Sequence, residues 1–511
     1  MHLIKITAAI ILFTCLFSCK NESPTMLDMK SHEAFRPKYH FTPDSMWMND
    51  PNGMVYYNGE YHLFYQYFPD STVWGPMHWG HAVSKDMVTW DDLPIALYPD
   101  SLGLIFSGSA VIDWKNTSGF GVNGNSPMVA IFTHHNMDGE RAKRLDFQTQ
   151  SIAYSNDNGR TWTKYEQNPV IKNPGIKDFR DPKVIWHEAT QKWVLVLAAK
   201  DRVKFYHSPD LKSWTYASDF GIENDARLWE CPDIFPMKVA GSNTEKWVLI
   251  TSMQSGAPNG GTGTSYWVGD FDGNTFNCNN AAASQKWLDS GKDNYAFVTW
   301  SDIPASDGRR LGLGWMSNWQ YAQEVPSVMW RSAMTMAREL SLHQVASDFI
   351  IKSKPVDEFK KLEKNTKTID AKASKEPVVI MENMTTAKLT LSFKKPSQGA
   401  VIIRFSDSQG NHTDVGYDVA LQKYFIDRSL SGITDFSPEF KGKHLSSNPY
   451  KSLQLDFTIY LDHSSIELFA EDGACAMTDI YFSTESYSKA EIITNGEMVE
   501  LLGGSVTELA K

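Results

Sequence analysis

The feature that most constrains this chain is a turn that recurs. "SKDMVTW" (84–90), "SNDNGRTW" (155–162), "SPDLKSW" (208–214) and "GDFDGNTF" (269–276) share an Asp-turn-aromatic pattern, and their closing aromatics are spaced by 72, 52 and 62 residues. Short apolar-aromatic runs lie between them, among them "YHLFYQYF", "MVAIFTHH", "KWVLVLAA", "KWVLITSM" and "RLGLGWMS". Runs this short, bounded by Gly, Pro, Asn and Asp and lacking helical periodicity, predict strands. Repeats of supersecondary size in an all-β chain predict a propeller. At about 60 residues per unit, residues 36–350 predict five blades.

A Lys-rich stretch, "KSKPVDEFKKLEKNTKTIDAKASKEP" (352–377), then breaks the aromatic texture, so residues 351–377 are expected to be a linker with a short helix. Beyond it the chain alternates cleanly, as in "AKLTLSFKK" and "LQLDFTIYLDHSSIELFAEDG", which predicts a β-sandwich over residues 378–511. The balance of 49 basic against 60 acidic residues gives a net charge of −11 with no long run of either sign. Charge-driven binding to nucleic acid or to an anionic membrane is excluded on that count. Cys231, Cys278 and Cys475 are scattered and make neither a disulfide framework nor a zinc site.

The N-terminus reads as a targeting signal. Lys5 precedes the 13-residue apolar run "ITAAIILFTCLFS", too short to span a bilayer. Leu16-Phe17-Ser18-Cys19 resembles a bacterial lipobox, with Cys19 as the lipidated residue. The expectation is a signal peptide over 1–19, a tether over 20–35 and a lipid anchor to the bacterial cell envelope as the only membrane contact.

Three acidic residues occupy corresponding blade-start positions: Asp50 in "MNDPNG", Asp181 in "FRDPK" and Glu230 in "WECPD". A propeller gathers such positions round one axis, and the proline after each acid fixes the local backbone. Three convergent carboxylates suit a hard cation such as Ca²⁺. They equally suit a nucleophile, a stabiliser and a proton donor for glycosidic cleavage. Each taken alone also reads as an ordinary Asp-capped turn.

The chain closely resembles glycoside hydrolase family 32, the β-fructosidases. "WMNDPNG" (47–53), "WGPMHWGHAVSKDMVTWDDLPIALYPD" (74–100), "FSGSA" (106–110), "FRDPK" (179–183), "WECPD" (229–233), "DSGKDNYA" (289–296) and "VPSVMWRSAMTMAREL" (325–340) follow the family's motifs in order, with Phe106 where many members have Trp. The resemblance implies a five-bladed propeller followed by a β-sandwich, and no metal or organic cofactor. It implies Asp50 as nucleophile, Glu230 as acid/base and Asp181, with Arg180 beside it, as transition-state stabiliser. Trp47, Asn49, Gln66, Trp74, Phe106, Ser107 and Trp315 are implied round a terminal fructose. Such a pair of carboxyls, about 5–5.5 Å apart, makes a retaining enzyme in which Glu230 must hold a proton while Asp50 stays ionised. Met48 is expected in the core, and His78 and His81 in structural hydrogen bonds.

The expected partner is a fructan, with levan favoured over inulin or sucrose because an outward-facing anchored enzyme suits a polymer. Endo and exo action stay open, with residues 132–150 and 252–264 as candidate rim loops. Three rival readings fit less well. A sialidase shares the "SNDNGRTW" turn but needs an arginine cluster and a tyrosine nucleophile, for which no motif is present. The inverting five-bladed relatives lack the appended sandwich and "WMNDPNG". A non-catalytic glycan-binding lipoprotein should have lost one of the three acids, and all are present.

Overall fold

In the computed structural model the described residues are Glu33 and 35–511, apart from 371, 451 and 497. Cys19, with the expected signal peptide and most of the tether, lies outside them. The chain is all-β, as expected. Its first part forms five small sheets among the described residues, whose first strands are Met46–Tyr57, Leu104–Ile112, Phe179–His187, Trp229–Lys238 and Tyr295–Thr299. Each first strand packs against that of the next sheet, and the fifth returns to the first. The ring is tied shut by Trp330–Arg331, which pairs in parallel with Met46 and Trp47.

The recurring turn has one job: it joins the third strand of a sheet to the fourth. Asp86 accepts from the Val88 and Thr89 amides at 2.9 and 2.8 Å. Asp210 accepts from those of Lys212 and Ser213 at 2.9 and 2.7 Å, and Asp272 from those of Asn274 and Thr275 at 2.8 and 2.7 Å. Asp157 receives the Thr161 amide at 2.9 Å. A carboxylate that satisfies the turn's own amides fixes where each outer strand begins. In the fifth sheet Val345 and Asp348 close a tight hairpin instead, which is why the motif occurs four times.

The second part is two sheets, of seven and six strands, packed over one core. In Ala387–Lys394 every second residue is buried, so Leu389, Leu391 and Phe393 point inward. The stretch expected as a linker is built into this fold. Asp357–Leu362 is a short 3-10 helix that buries Phe359 and Leu362, and Glu363–Ile369 pairs with the last strand, Val499–Leu509. Its run of exposed polar residues hid it: it is an edge strand, and charge on an edge blocks further pairing.

The two parts are welded along residues 289–293. Ser290 N–H donates to Ala476 O at 2.8 Å and Asp293 N–H to Thr478 O at 3.0 Å. A Cβ on Gly291 would lie 2.2 Å from the Thr478 backbone, so only glycine allows the approach. Buried charges cross the same seam. Arg338 reaches Asp289 at 2.8 Å and Glu467 at 2.6 Å, and Arg428 reaches Asp293 at 2.5 Å. His40 is held between Asp462 and Glu467, each at 2.8 Å. Removing one partner of such a pair strands a buried charge at a cost of about 3–5 kcal/mol.

Burial pushes His40 down, but its hydrogen bonds to Asp462 and Glu467 outweigh that and hold it up at about 9. A folded value above the unfolded one, about 6.5, means the stabilisation is complete below that pH and fades as pH rises through about 9. The size is on the order of 3 kcal/mol. Urea midpoints should therefore fall between about pH 6.5 and 9.5 in the parent, and much less in a His40→Gln variant that starts lower. Parallel falls in both would show that the imidazolium is not the cause.

Candidate active site

All five first strands are disturbed near their starts. Pairing register slips between Met48 and Pro51, Ile105 and Gly108, Glu230 and Asp233, and Tyr295 and Val298. In the third sheet it slips between Arg180 and Lys183. An inserted residue bends a strand and re-aims its side chains. Asp181, Cys231 and Ala296 accordingly sit at left-handed φ of 62°, 44° and 54°. Pro182 and Pro232 fall inside the unpaired stretches, where a missing N–H costs no ladder bond. Gly53, at φ 53°, is required because a Cβ would meet the Phe64 ring at 2.5 Å.

These bends bring the three acids together. Asp50 Oδ2 accepts from Ser107 Oγ at 2.6 Å and Oδ1 from Asn49 Nδ2 at 3.1 Å. Cys231 joins two of the acids: its N–H donates to Asp181 Oδ2 at 3.0 Å, and its Sγ lies 3.5 Å from Asp50 Oδ2 and 3.7 Å from Asp181 Oδ2. Arg180 joins the third. It donates to Glu230 Oε1 from Nη2 at 2.8 Å and from Nε at 3.1 Å, with Nε 3.9 Å from Asp181 Oδ2 and Nη1 2.8 Å from Asp178. Glu230 Oε2 accepts from Tyr295 Oη and Gln254 Nε2.

One buried guanidinium faces the buried Asp181 and the half-buried Asp178 and Glu230. Burial pushes Asp181 up to about 7; Arg180 opposes this, while Glu230 and Asp50 add to it. Asp50 is raised by burial, countered by the Ser107 hydroxyl, raised again by Glu230 and countered by Asn49 and Cys231. Burial and the neighbouring anions thus favour a proton on Asp181, while the donors on Asp50 favour its anion. Burial and the surrounding anions drive the Cys231 thiol well above its usual value, so it acts as a donor and not as a thiolate.

A cavity of about 350 Å³ opens over the acids, walled by Trp74, Phe106, Trp319 and Gln323. Asn49, Gln66, Ser107 and Arg180 also line it, where the sequence put them. Trp47 and Trp315 do not. Both are fully buried one layer behind, and Trp47 Nε1 donates to Asn49 Oδ1 at 2.7 Å, orienting that amide. The half-buried aromatic in front of them, which lines the cavity, is Trp319, 5.8 Å from Trp47 and 4.8 Å from Trp315. Met48 is in the core. His81 bonds His62 at 3.0 Å and His78 bonds Pro76 O at 2.9 Å, both away from the acids. Among the described residues no group of His, Cys, Asp and Glu has the arrangement of a metal site.

Sequence reasoning missed Tyr295, Gln254, Cys231 and Trp319. Tyr295 and Cys231 lie inside quoted motifs, "DSGKDNYA" and "WECPD", but nothing in spacing tells which motif residue turns inward at a bulge. His135 and Glu140, paired at 3.0 Å, and Gln148, which bonds His135 at 3.1 Å, also line the cavity from the loop region marked as a rim.

Comparison with known proteins agrees with this geometry. Residues 40–355 match the Glycosyl hydrolases family 32 N-terminal domain and residues 355–508 the Glycosyl hydrolases family 32 C terminal. A levanase of Bacillus subtilis (strain 168) is 46% identical over 99% of this chain and 75% of its own length. An extracellular exo-inulinase of Aspergillus awamori is 36% identical over 94% of this chain and 95% of its own. A crystal structure of exo-inulinase from Aspergillus awamori superposes with a TM-score of 0.85 at 34% identity, covering 93% of this chain and 98% of that one. A β-fructofuranosidase from Schwanniomyces occidentalis complexed with fructosyl-erythritol gives 0.82 at 33% identity, covering 94% and 99%.

The crowding of the acids has a stability cost. A carboxyl whose folded value is about 7 contributes fully below its unfolded value, about 3.8, and that stability is lost as pH rises through about 7. Asp181→Asn should therefore melt higher than the parent at pH 7, by about 1–3 kcal/mol, with the gap closing towards about pH 4. A variant that melts lower at neutral pH would show that Arg180 stabilises the acid more than burial penalises it.

Proposed function

The chain belongs to Glycosyl hydrolases family 32, and from that premise we propose that it hydrolyses β-fructofuranosidic linkages in fructans, with levan favoured. The observation that carries the chemistry is the meeting of Asp50, Asp181 and Glu230 at the floor of one cavity. The levanase at 46% identity supports the substrate class.

In this reading Asp50 attacks the anomeric carbon of the fructosyl unit. The carbon–oxygen bond to the leaving group breaks as Glu230 passes its proton to that oxygen, giving a covalent fructosyl–enzyme ester. Water then attacks the same carbon, loses its proton to Glu230 and releases Asp50, so configuration is retained. Separation of about 5–5.5 Å between the two acting carboxyls is what this route requires. Asp181 holds sugar hydroxyls as charge develops on the ring, and Arg180 keeps its charge and that of Glu230 balanced. Trp74, Phe106 and Trp319 offer apolar walls to the C–H face of the sugar, with Asn49, Gln66 and Ser107 as hydroxyl partners.

The five sheets are the blades of a five-bladed β-propeller, over residues 36–350, with the site at one end of its axis. The sandwich begins at Glu363, ahead of the expected 378, and Cys19 anchors the chain to the cell envelope through lipid. Fractionating cells that carry Cys19→Ala tests the anchor, since the variant must leave the membrane fraction.

The cavity, at about 350 Å³, is at the small end of the range of about 300–1,000 Å³ for ligand pockets, and Trp47 and Trp315 close it from behind. That favours exo action on chain ends. Products resolved at low conversion decide it: levan and inulin should each be tested, with fructose alone expected from the start and faster release from levan. A ladder of oligosaccharides would mean an open cleft and endo action. Absence of any product from either polymer and from sucrose would overturn the hydrolase reading.

A further inference from the structure

Four of the five inner strands line a second cavity at their other ends. It measures about 950 Å³ and is lined by Ile112, Trp114, Lys183, Phe235, Asp302 and Arg310, among others. Lys183 lies two residues beyond Asp181 along one strand, yet no residue lines both this mouth and the first cavity. Nothing in the reaction above uses it.

Its chemistry is specific. Trp114 is 59% exposed at the lip, yet its Nε1 is tied inward to Asp302 Oδ1 at 2.8 Å and its ring rests edge-on against Tyr57 at 5.6 Å. An indole fixed in this way presents an apolar face to solvent at a set angle. Further in, the Arg310 guanidinium lies 4.6 Å over the Phe235 ring, and it makes no side-chain hydrogen bond or ion pair among the described residues. Several acids of the lining already hold donors, although Asp233 Oδ1 is buried without a partner. Asp302 also receives Ile112 N–H at 2.9 Å, and Asp233 receives Lys183 at 3.2 Å and the Thr299 hydroxyl at 2.8 Å. Glu188 receives Trp186 Nε1 at 2.6 Å and Gln191 Nε2 at 2.7 Å.

The ligand class follows by exclusion. Glu188, Asp233, Glu245, Asp272 and Asp302 outnumber Lys115, Lys183 and Arg310, so the lining repels an anion. An unpaired guanidinium disfavours a cation, and Glu188, Asp272 and Asp302 have donors already. A neutral ligand with an apolar face and many hydroxyl oxygens satisfies both the open indole and the unpaired guanidinium. We propose that this second mouth is a non-catalytic carbohydrate site that holds a segment of neutral oligosaccharide, with Trp114 as stacking platform and Arg310 as hydroxyl donor. Its ligand is a stretch of fructan away from the end being cut, and that identity rests on the fructan reading above.

Affinity electrophoresis in gels containing levan tests it, using Asp50→Asn protein so that the polymer is not digested. Adding Trp114→Ala and Arg310→Gln should reduce retardation by levan at least threefold. In protein with Asp50 intact, the same two changes should leave kcat/KM for sucrose within twofold while raising KM for levan. Trp114→Ala alone, at an exposed position, serves as the check should the double variant melt early. Unchanged retardation in variants of normal melting temperature, or no retardation of the starting protein, overturns the proposal. Hydrolysis of levan with unchanged retardation would remove this site alone. Failure to hydrolyse any fructoside would remove the catalytic reading, while levan retardation that depends on Trp114 would still uphold the second site.

Discussion

Asp50, Asp181 and Glu230 crowd together with one guanidinium between the last two, and much of the molecule acts to keep these unfavourable neighbours there. Arg180 balances Glu230 directly and Asp181 more weakly at 3.9 Å. Ser107, Asn49 and Cys231 supply donors to Asp50, and Tyr295 and Gln254 to Glu230. None of these side chains would meet on regular strands, since alternate residues there face opposite sides of a sheet. The bulge at the start of every inner strand, with left-handed backbone at Asp181, Cys231 and Ala296, is the device that aims them inward.

The sandwich takes part in that arrangement from a distance. Residues 289–293 pair with Cys475–Ile480, and two residues later the same segment delivers Tyr295 to Glu230. Fully buried pairs at Arg338 and Arg428 hold the seam shut. A loop with both ends fixed in this way keeps a hydroxyl in place against the acid that exchanges a proton in the proposed reaction. The appended domain is thus a positional support for the reacting end of the first one, whatever else it binds.

Much of this was legible in the sequence because the signals were local. An Asp that caps its own turn needs only the next few amides, so the repeat marked the outer hairpins correctly, and its absence from the fifth sheet follows from a shorter hairpin. The acids were legible because each precedes a proline in a motif. What escaped depends on register and on the third dimension. A bulge changes which neighbours of an acid face inward, so Cys231 and Tyr295 looked like ordinary motif residues. Trp47 and Trp319 are equally aromatic in the sequence, and only packing puts one behind the other. The edge strand Glu363–Ile369 was hidden by the lysines that protect it.

Bond formation between Asp50 and the sugar is the step on which the proposed reaction depends. Glu230→Gln protein mixed with a fructoside whose leaving group needs no protonation should accumulate the ester, because the second step lacks its base. Mass spectrometry of the digested protein is predicted to show one added fructosyl unit on the peptide carrying Asp50, lost again in the double variant with Asp50→Asn. Turnover of that substrate with no adduct on Asp50, or an adduct on Asp181, would contradict it.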